Sequence, residues 1–182
     1  VEDDLVSGSI TLDNHGNRYT AKQRSTVKID VNNPSKIGDK LSITKTFNTG
    51  EKFDFSQFDY EVPLGQSGLK AFASASRLEF EIGKELKTNP VSLGNADTYE
   101  VGIKYPIQRT NNQSVFLRTS IEKKEIYNET TGVLTNDKTL ENAKIGFDFE
   151  GKNIFQESSL TGVSVSGIFG DLDLSKVNSD YL

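Results

Sequence analysis

Cysteine, methionine and tryptophan are missing from all 182 residues, and histidine occurs once, at His15. Without thiols there is no disulfide framework, no thiolate metal site and no cysteine nucleophile. A lone histidine in an Asn- and Gly-rich turn, with no cysteine to pair with, reads as a solvated turn residue rather than a catalytic base. The absence of methionine implies a chain that does not begin at a translation start, so further sequence is expected upstream. No run approaches the roughly 20 apolar residues of a membrane helix, and nothing at Val1 resembles a signal peptide. That leaves open a membrane barrel, whose strands need only about 10 alternating residues. Prolines are few, at 34, 63, 90 and 106, and each is expected to fall between strands, where no ladder hydrogen bond is lost. Nor does any segment carry helical periodicity over the roughly 11 residues that define it. The 21 basic and 26 acidic residues give a net charge of -5. The two signs are interleaved, with no basic stripe, which excludes nucleic acid as a partner.

What the chain does contain is period-two alternation, repeated from one end to the other. Strand one covers about Val6 to Leu12, with Ile10 and Leu12 on one face. After a turn at Asn14 to Asn17, strand two runs from about Tyr19 to Val31, setting Ser25, Val27, Ile29 and Val31 against Lys22, Arg24, Thr26, Lys28 and Asp30. Asn33 to Asp39 is a compact turn, because Pro34 fixes φ and Gly38 permits positive φ. Strand three carries Leu41, Ile43 and Phe47. Strand four sets Phe58, Tyr60 and Val62 against Asp59 and Glu61, and Pro63 to Gly68 turns the chain again. Strand five begins with Ala71 and Ala73 on the apolar side. It then changes phase to Leu78, Phe80 and Ile82, which predicts a bulge or a strong twist. A long polar loop is expected at 83–97. Strand six alternates Tyr99, Val101, Ile103 and Tyr105 with Glu100, Gly102 and Lys104, and a short turn follows from Pro106 to Gln113. Strand seven alternates Val115, Leu117, Thr119 and Ile121 with Phe116, Arg118, Ser120 and Glu122. A second long loop is expected at about 128–141. Strand eight sets Ile145, Phe147 and Phe149 against Lys144, Gly146 and Asp148, and strand nine covers about Leu160 to Phe169.

The fold class is therefore all-β, an antiparallel up-and-down meander of about nine strands. Tight Pro/Gly turns at one end face longer polar loops at the other. Two solvents suit such an alternation. A soluble β-sandwich buries its apolar face against a second sheet, and an extracellular adhesin or lectin-like module would use the 83–97 and 128–141 loops for recognition. An outer-membrane barrel turns the same face to lipid. The charges that fall on the apolar face, Lys45, Arg77 and Lys123, all lie near the long-loop end of their strands, where a lipid-facing charge costs little. The carboxylates Asp54, Asp59 and Glu61, or Asp171 and Asp173, form the x-Asp-x-Asp pattern of any polar strand face or loop, and Gly65 to Gly68 is a turn without a phosphate-loop context. No catalytic constellation, metal site or cofactor motif emerges, and the chain is not read as an enzyme.

Several connections, in order, resemble one family. Asp13-Asn14-x-Gly16-x-Arg18-Tyr19-Thr20 is similar to the first barrel hairpin of the outer-membrane transporters of two-partner secretion, the haemolysin secretion/activation (TpsB) family. Asn32 to Ser42 and Tyr60 to Lys70 resemble its second-to-third and fourth-to-fifth strand connections. Gly83-Lys84-Glu85-Leu86 and Lys104-Tyr105-Pro106-Ile107 fall where that family has similar residues. The match runs from about Ser7 to Phe169.

The resemblance implies a Gram-negative outer-membrane location and a fold of two periplasmic POTRA domains followed by a sixteen-stranded β-barrel. On that pattern residues 1–5 are the remnant of a POTRA domain, 6–169 the first half of the barrel, and 170–182 a loop or truncated end. The POTRA domains and the other barrel half are expected upstream and downstream, and with them the inward-folded loop to which the family assigns much of gating and recognition. The implied function is a pore segment exporting a large secreted partner exoprotein, an adhesin or haemolysin, with outer-membrane lipid as the other partner. Lys22, Arg24, Lys28, Asp30, Asp59, Glu61, Glu100, Lys104, Arg118 and Glu122 are then expected to line the lumen. Asp13, Asn14, Gly16, Arg18 and Tyr19 form the family-motif hairpin.

Overall fold

The computed structural model describes residues 4–17, 20, 22–48, 52–82, 92–130, 133–154 and 157–174, and of residues 133–135 the backbone alone. Nine strands follow one another: β1 Val6–Asp13, β2 Arg24–Asn32, β3 Lys40–Phe47, β4 Phe53–Pro63, β5 Lys70–Glu81, β6 Ser92–Arg109, β7 Gln113–Thr130, β8 Val133–Lys152 and β9 Leu160–Asp173. They form a single sheet in the order β1 to β9, and each neighbouring pair is antiparallel. A sandwich needs a second sheet to cover the apolar face, and among the described residues there is none. The soluble-sandwich expectation is corrected on that ground.

Register explains the two faces. Val31, Leu41, Tyr60, Ala73, Val101, Ile121, Ala143 and Phe169 are successive partners across β2 to β9 and share one face. On this apolar face Tyr99, Val101 and Ile121 remain 52, 51 and 64 % exposed. On β6 the band runs from Tyr99 to Ile107, about 27 Å at roughly 3.4 Å per residue. A strand tilt of about 40° brings that to roughly 21 Å of height, close to the ~25 Å apolar band of an outer-membrane barrel.

Five expectations change here. The 83–97 loop shortens, because Ser92 to Asp97 already pair with β5 and β7. The 128–141 loop shortens further, since β7 continues to Thr130 and β8 begins at Val133. Polar side chains hid these strand ends, yet the ladder bonds main chain to main chain and tolerates them. Strand five has no bulge: β5 pairs residue for residue with β4 from Lys70 to Phe80 and with β6 from Lys70 to Glu81. Leu78 and Phe80 instead lie on the opposite face from Ala71 and Ala73, so the sheet itself inverts. Beyond the apolar band, the row Lys45, Ser56, Arg77, Asp97 and Glu125 is polar on the outer face. At the same height Phe55, Leu78, Ala96 and Ile126 are apolar on the inner one. Lastly, Pro106 sits inside β6 rather than between strands, beside a register shift between Pro106 and Gln108. A bulge is where a ladder tolerates a residue without an N–H. Pro63 closes β4, and Pro90 lies outside the described residues. Strand β9 also continues through 170–173, since Gly170 to Asp173 pair with β8.

Two of the tight turns use one design. In the first, the Asn33 amide donates to the Asp39 carbonyl (2.6 Å) and the Gly38 amide to Asn33 Oδ1 (2.6 Å), with φ of 59° at Asn33 and 84° at Gly38. In the second, the Asn153 amide donates to the Ser159 carbonyl (2.8 Å) and the Ser158 amide to Asn153 Oδ1 (2.8 Å), with φ of 57° and 64°. Asparagine supplies the left-handed backbone and the side-chain acceptor at once. The first turn is also anchored by Asp39, which is 2 % exposed. It accepts from the Ser35 amide (3.1 Å) and from the Tyr60 hydroxyl (2.8 Å). Burial works to raise its pKa, but the Tyr60 and Ser35 hydrogen bonds outweigh this and hold it below the usual carboxylate value.

A group with a depressed folded pKa contributes stability above its unfolded pKa and loses it as pH falls. The destabilisation caused by Asp39→Asn, read as a shift in urea midpoint in a lipid mimic, is therefore expected to be full at neutral pH. It should begin to shrink as pH falls past 3.8, the ordinary value, and vanish below the folded one.

Candidate functional site

Nine of the ten residues expected in the lumen share the charged face opposite the apolar band, labelled inner here, and one does not. Lys22 lies in the first hairpin loop, where its carbonyl accepts from the Gly16 amide (3.1 Å), because the β1–β2 ladder ends at Asp13 and Arg24. In that hairpin Asp13 Oδ1 accepts from the His15 amide (3.0 Å) and Asn14 is exposed. Arg18 and Tyr19 lie outside the described residues.

The remaining nine, with residues that strand-by-strand reading left without a role, form rows across the sheet. One row is Asp30, Ser42, Asp59, Ser74, Glu100, Glu122 and Asn142, each the register partner of the next. Asp30 is held by Lys28 (3.3 Å), Lys40 (3.8 Å) and the Ser42 hydroxyl. Asp59 accepts from Gln57 (2.9 Å) and Ser74 (2.7 Å). Glu61 pairs with Lys70 at 2.6 Å.

At the centre, Glu100 and Glu122 stand directly opposite each other on β6 and β7. Like charges in that position repel. Lys144 of β8 relieves the conflict, its ammonium lying 2.5 Å from Glu122 and 3.5 Å from Glu100. Asn142 donates to Glu122 (2.9 Å), and Arg118 approaches Glu100 at 3.6 Å. These side chains are well covered, at 15 to 25 % exposure for the two glutamates and Lys144.

Aromatic rings brace the same wall. The Arg118 guanidinium lies 4.0 Å from the centroid of Phe72, Lys104 sits 4.2 Å from Phe116, and Arg24 lies 4.3 Å from Phe53. The Phe72 ring covers Gly102, its register partner: a Cβ there would come within 2.6 Å of Phe72 Cζ and would collide with the Thr119 carbonyl. A glycine facing an aromatic across the ladder leaves room for the ring to lie flat.

Sequence reading missed Lys144, Asn142, Lys40, Lys70 and Phe72 as members of the wall. Their signal was present: Lys144 alternates with Ile145, and Gly102 is a gap in an otherwise charged face. Register was needed to bring them together. The carboxylates considered for catalysis are distributed differently. Asp54 pairs with Lys45, Asp59 and Glu61 belong to the inner rows, and Asp171 and Asp173 lie on the outer face of β9. Among the described residues there is no group of three or more side chains able to hold a metal ion.

A sheet with a lipid-compatible outer face and a charged, internally paired inner face is a wall section. The family model for haemolysin secretion/activation proteins ShlB/FhaC/HecB matches residues 1–165. The chain belongs to this family. Its curated relatives include heme/hemopexin transporter protein HuxB of Haemophilus influenzae strain 86-028NP, 24% identical over 91% of this chain and 29% of the relative. HuxB of strain ATCC 51907 / DSM 11121 / KW20 / Rd is 22% identical over 91% of this chain and 29% of its own length. Among solved structures, CdiB from Escherichia coli aligns with a TM-score of 0.79 at 16% identity, over 94% of this chain and 32% of that one. CdiB from Acinetobacter baumannii aligns with a TM-score of 0.73 at 15% identity, over 93% and 32%. The chain thus spans about a third of the length of the proteins it matches. Its all-β meander is the fold of one section of a two-partner secretion transporter.

Two substitutions test the wall. Lys144→Met is expected to destabilise by about 1–3 kcal/mol, since it leaves two facing, covered carboxylates without their shared cation. Adding Glu122→Gln should recover part of the loss, the double-mutant cycle in urea being the readout. Gly102→Ala should cost about 1–3 kcal/mol by overpacking, measured in the same way.

Proposed function

We propose that this segment is the first part of the pore of an outer-membrane transporter that exports a large secreted partner protein, adhesin- or haemolysin-like, to the surface of a Gram-negative cell. Residues 1–5 are the end of a POTRA domain on this reading, and the strands from Val6 onward are barrel wall. The observation that carries it is the pairing of an outer apolar band, Tyr99 to Ile107 on β6, with an inner face whose charges are already matched. A wall whose carboxylates and ammonium groups satisfy one another stays hydrated and offers a passing extended chain few sticky surfaces. The transporter names of the curated relatives support the same reading. The inner rows, from Arg24 and Lys28 through Asp30, Asp59, Glu61, Glu100, Lys104, Arg118 and Glu122, line the passage. They act collectively as surface and no one of them as a chemical group.

The test uses the complete protein with its secreted partner. The expected result is release from the membrane fraction by detergent only, and loss of the partner from the cell surface when the strand segment is deleted. Recovery in buffer without detergent, or undiminished surface display after the deletion, would overturn the reading. Charge-removing single replacements at half-exposed wall positions, Lys28→Gln among them, should lower secretion less than about twofold, because an exposed ion pair contributes little.

A further inference from the structure

One row of the inner wall departs from this matching of charges. Lys70, Lys104 and Arg118 are successive register partners on β5, β6 and β7, so three cations stand side by side over roughly 10 Å. Like charges placed directly opposite one another destabilise a ladder. Glu100 and Glu122 meet the same conflict with a shared Lys144, but no carboxylate is shared among these three. Lys70 has Glu61 at 2.6 Å and Arg118 has Glu100 at 3.6 Å, at the two ends of the row, and both cations keep nearly half of their side chains exposed. Lys104, between them, forms no ion pair among the described residues. Its ammonium rests 4.2 Å from the centroid of Phe116, and Phe72 backs Arg118 at 4.0 Å. The row continues into Gly146 and Ser166, where the wall is low. It lies toward the tight turns, since Lys70 is the first residue of β5 and Lys104 stands two residues before the shift at Pro106. The same end of the sheet carries the start of β1, because Val6 pairs with Val31 beside the first turn.

We infer that this row is an entry-side docking strip for an acidic, extended segment of the exported partner. With a POTRA domain leading into β1, the tight-turn end is the side at which the exported chain arrives, and the inference rests on that reading. Side chains two residues apart in an extended chain project to the same side about 6.8 Å apart, so two carboxylates fit within the row. Lys104 takes the contact that the wall leaves open, and Lys70 and Arg118 flank it. A neutral or basic segment gains nothing there. Repulsion kept in a wall that is otherwise paired breaks the local rule where a contact from outside completes it.

The test is fluorescence anisotropy of the complete transporter in detergent with two labelled octapeptides, one alternating Glu and Gly, the other Gln and Gly. Wild type is expected to bind the Glu peptide about tenfold more tightly, and the preference should fade at high salt. Lys104→Met, which removes no ion pair, should weaken the Glu peptide about threefold, the worth of one partly exposed charge pair. Reversing the row with Lys70→Glu, Lys104→Glu and Arg118→Glu should abolish the preference, with circular dichroism reporting whether the strands persist. Lys104→Met alone decides if that triple variant does not fold. Lys45→Gln, the same loss of one charge on the outer face, should leave the preference unchanged. Equal binding of the two peptides by wild type, or full preference in Lys104→Met, overturns the docking strip while leaving the export reading standing. Surface display of the partner that survives deletion of the strand segment overturns both.

Discussion

Each of β2 to β8 finds its ladder partners in the strand before and the strand after it, and this local closure is what the rest of the structure depends on. In a hydrocarbon surrounding, a peptide group without a partner costs several kcal/mol, which only a helix or a continuous sheet avoids. Once the ladder is complete, side chains are free to answer to whatever lies on either side. Apolar residues therefore accumulate on one face and ion pairs on the other without competing for the backbone. The described sheet ends in β1 and β9, each with a neighbour on one side, and the chain spans about a third of the length of the proteins it matches.

The inversion along the strands follows from the same logic. Where the outer face changes from Tyr99 and Ala75 to Arg77 and Asp97, the inner face changes from Ser76 and Thr98 to Leu78 and Ala96. Where one face turns polar, the apolar side chains of the same strands collect on the other. Lys45, Arg77 and Lys123 mark the level at which that face changes from apolar to polar, and each has a carboxylate neighbour there.

Strand existence, order and face were legible because period-two alternation is strong between Val27 and Phe149. The ends of the strands were not. Asn95, Asp97 and Asp137 have the composition of a loop and the geometry of a ladder, since a polar outer face removes the apolar signal that marks a strand. Leu78 and Phe80 looked like a slip of phase because alternation records polarity and not direction, so a change of solvent imitates a bulge. The inner wall was half legible: its charged residues could be assigned to a face one strand at a time. That Glu100, Glu122 and Lys144 meet depends on a register spanning 44 residues of sequence, which no window of alternation contains. The turn at Asn33 to Asp39 was marked by Pro34 and Gly38, whereas Asn153 to Ser159, built on the same hydrogen bonds, shares only its first residue with it.

Because every strand is bonded to its sequence neighbours, no ladder among the described residues joins distant parts of the chain. A force applied along one end would therefore lift strands away in order, each hairpin failing as its own ladder parts, as a seam opens stitch by stitch. Resistance would follow strand length, from eight residues in β1 and β3 to twenty in β8. The β7–β8 pair, joined over the longest ladder of the sheet, would be its mechanical clasp.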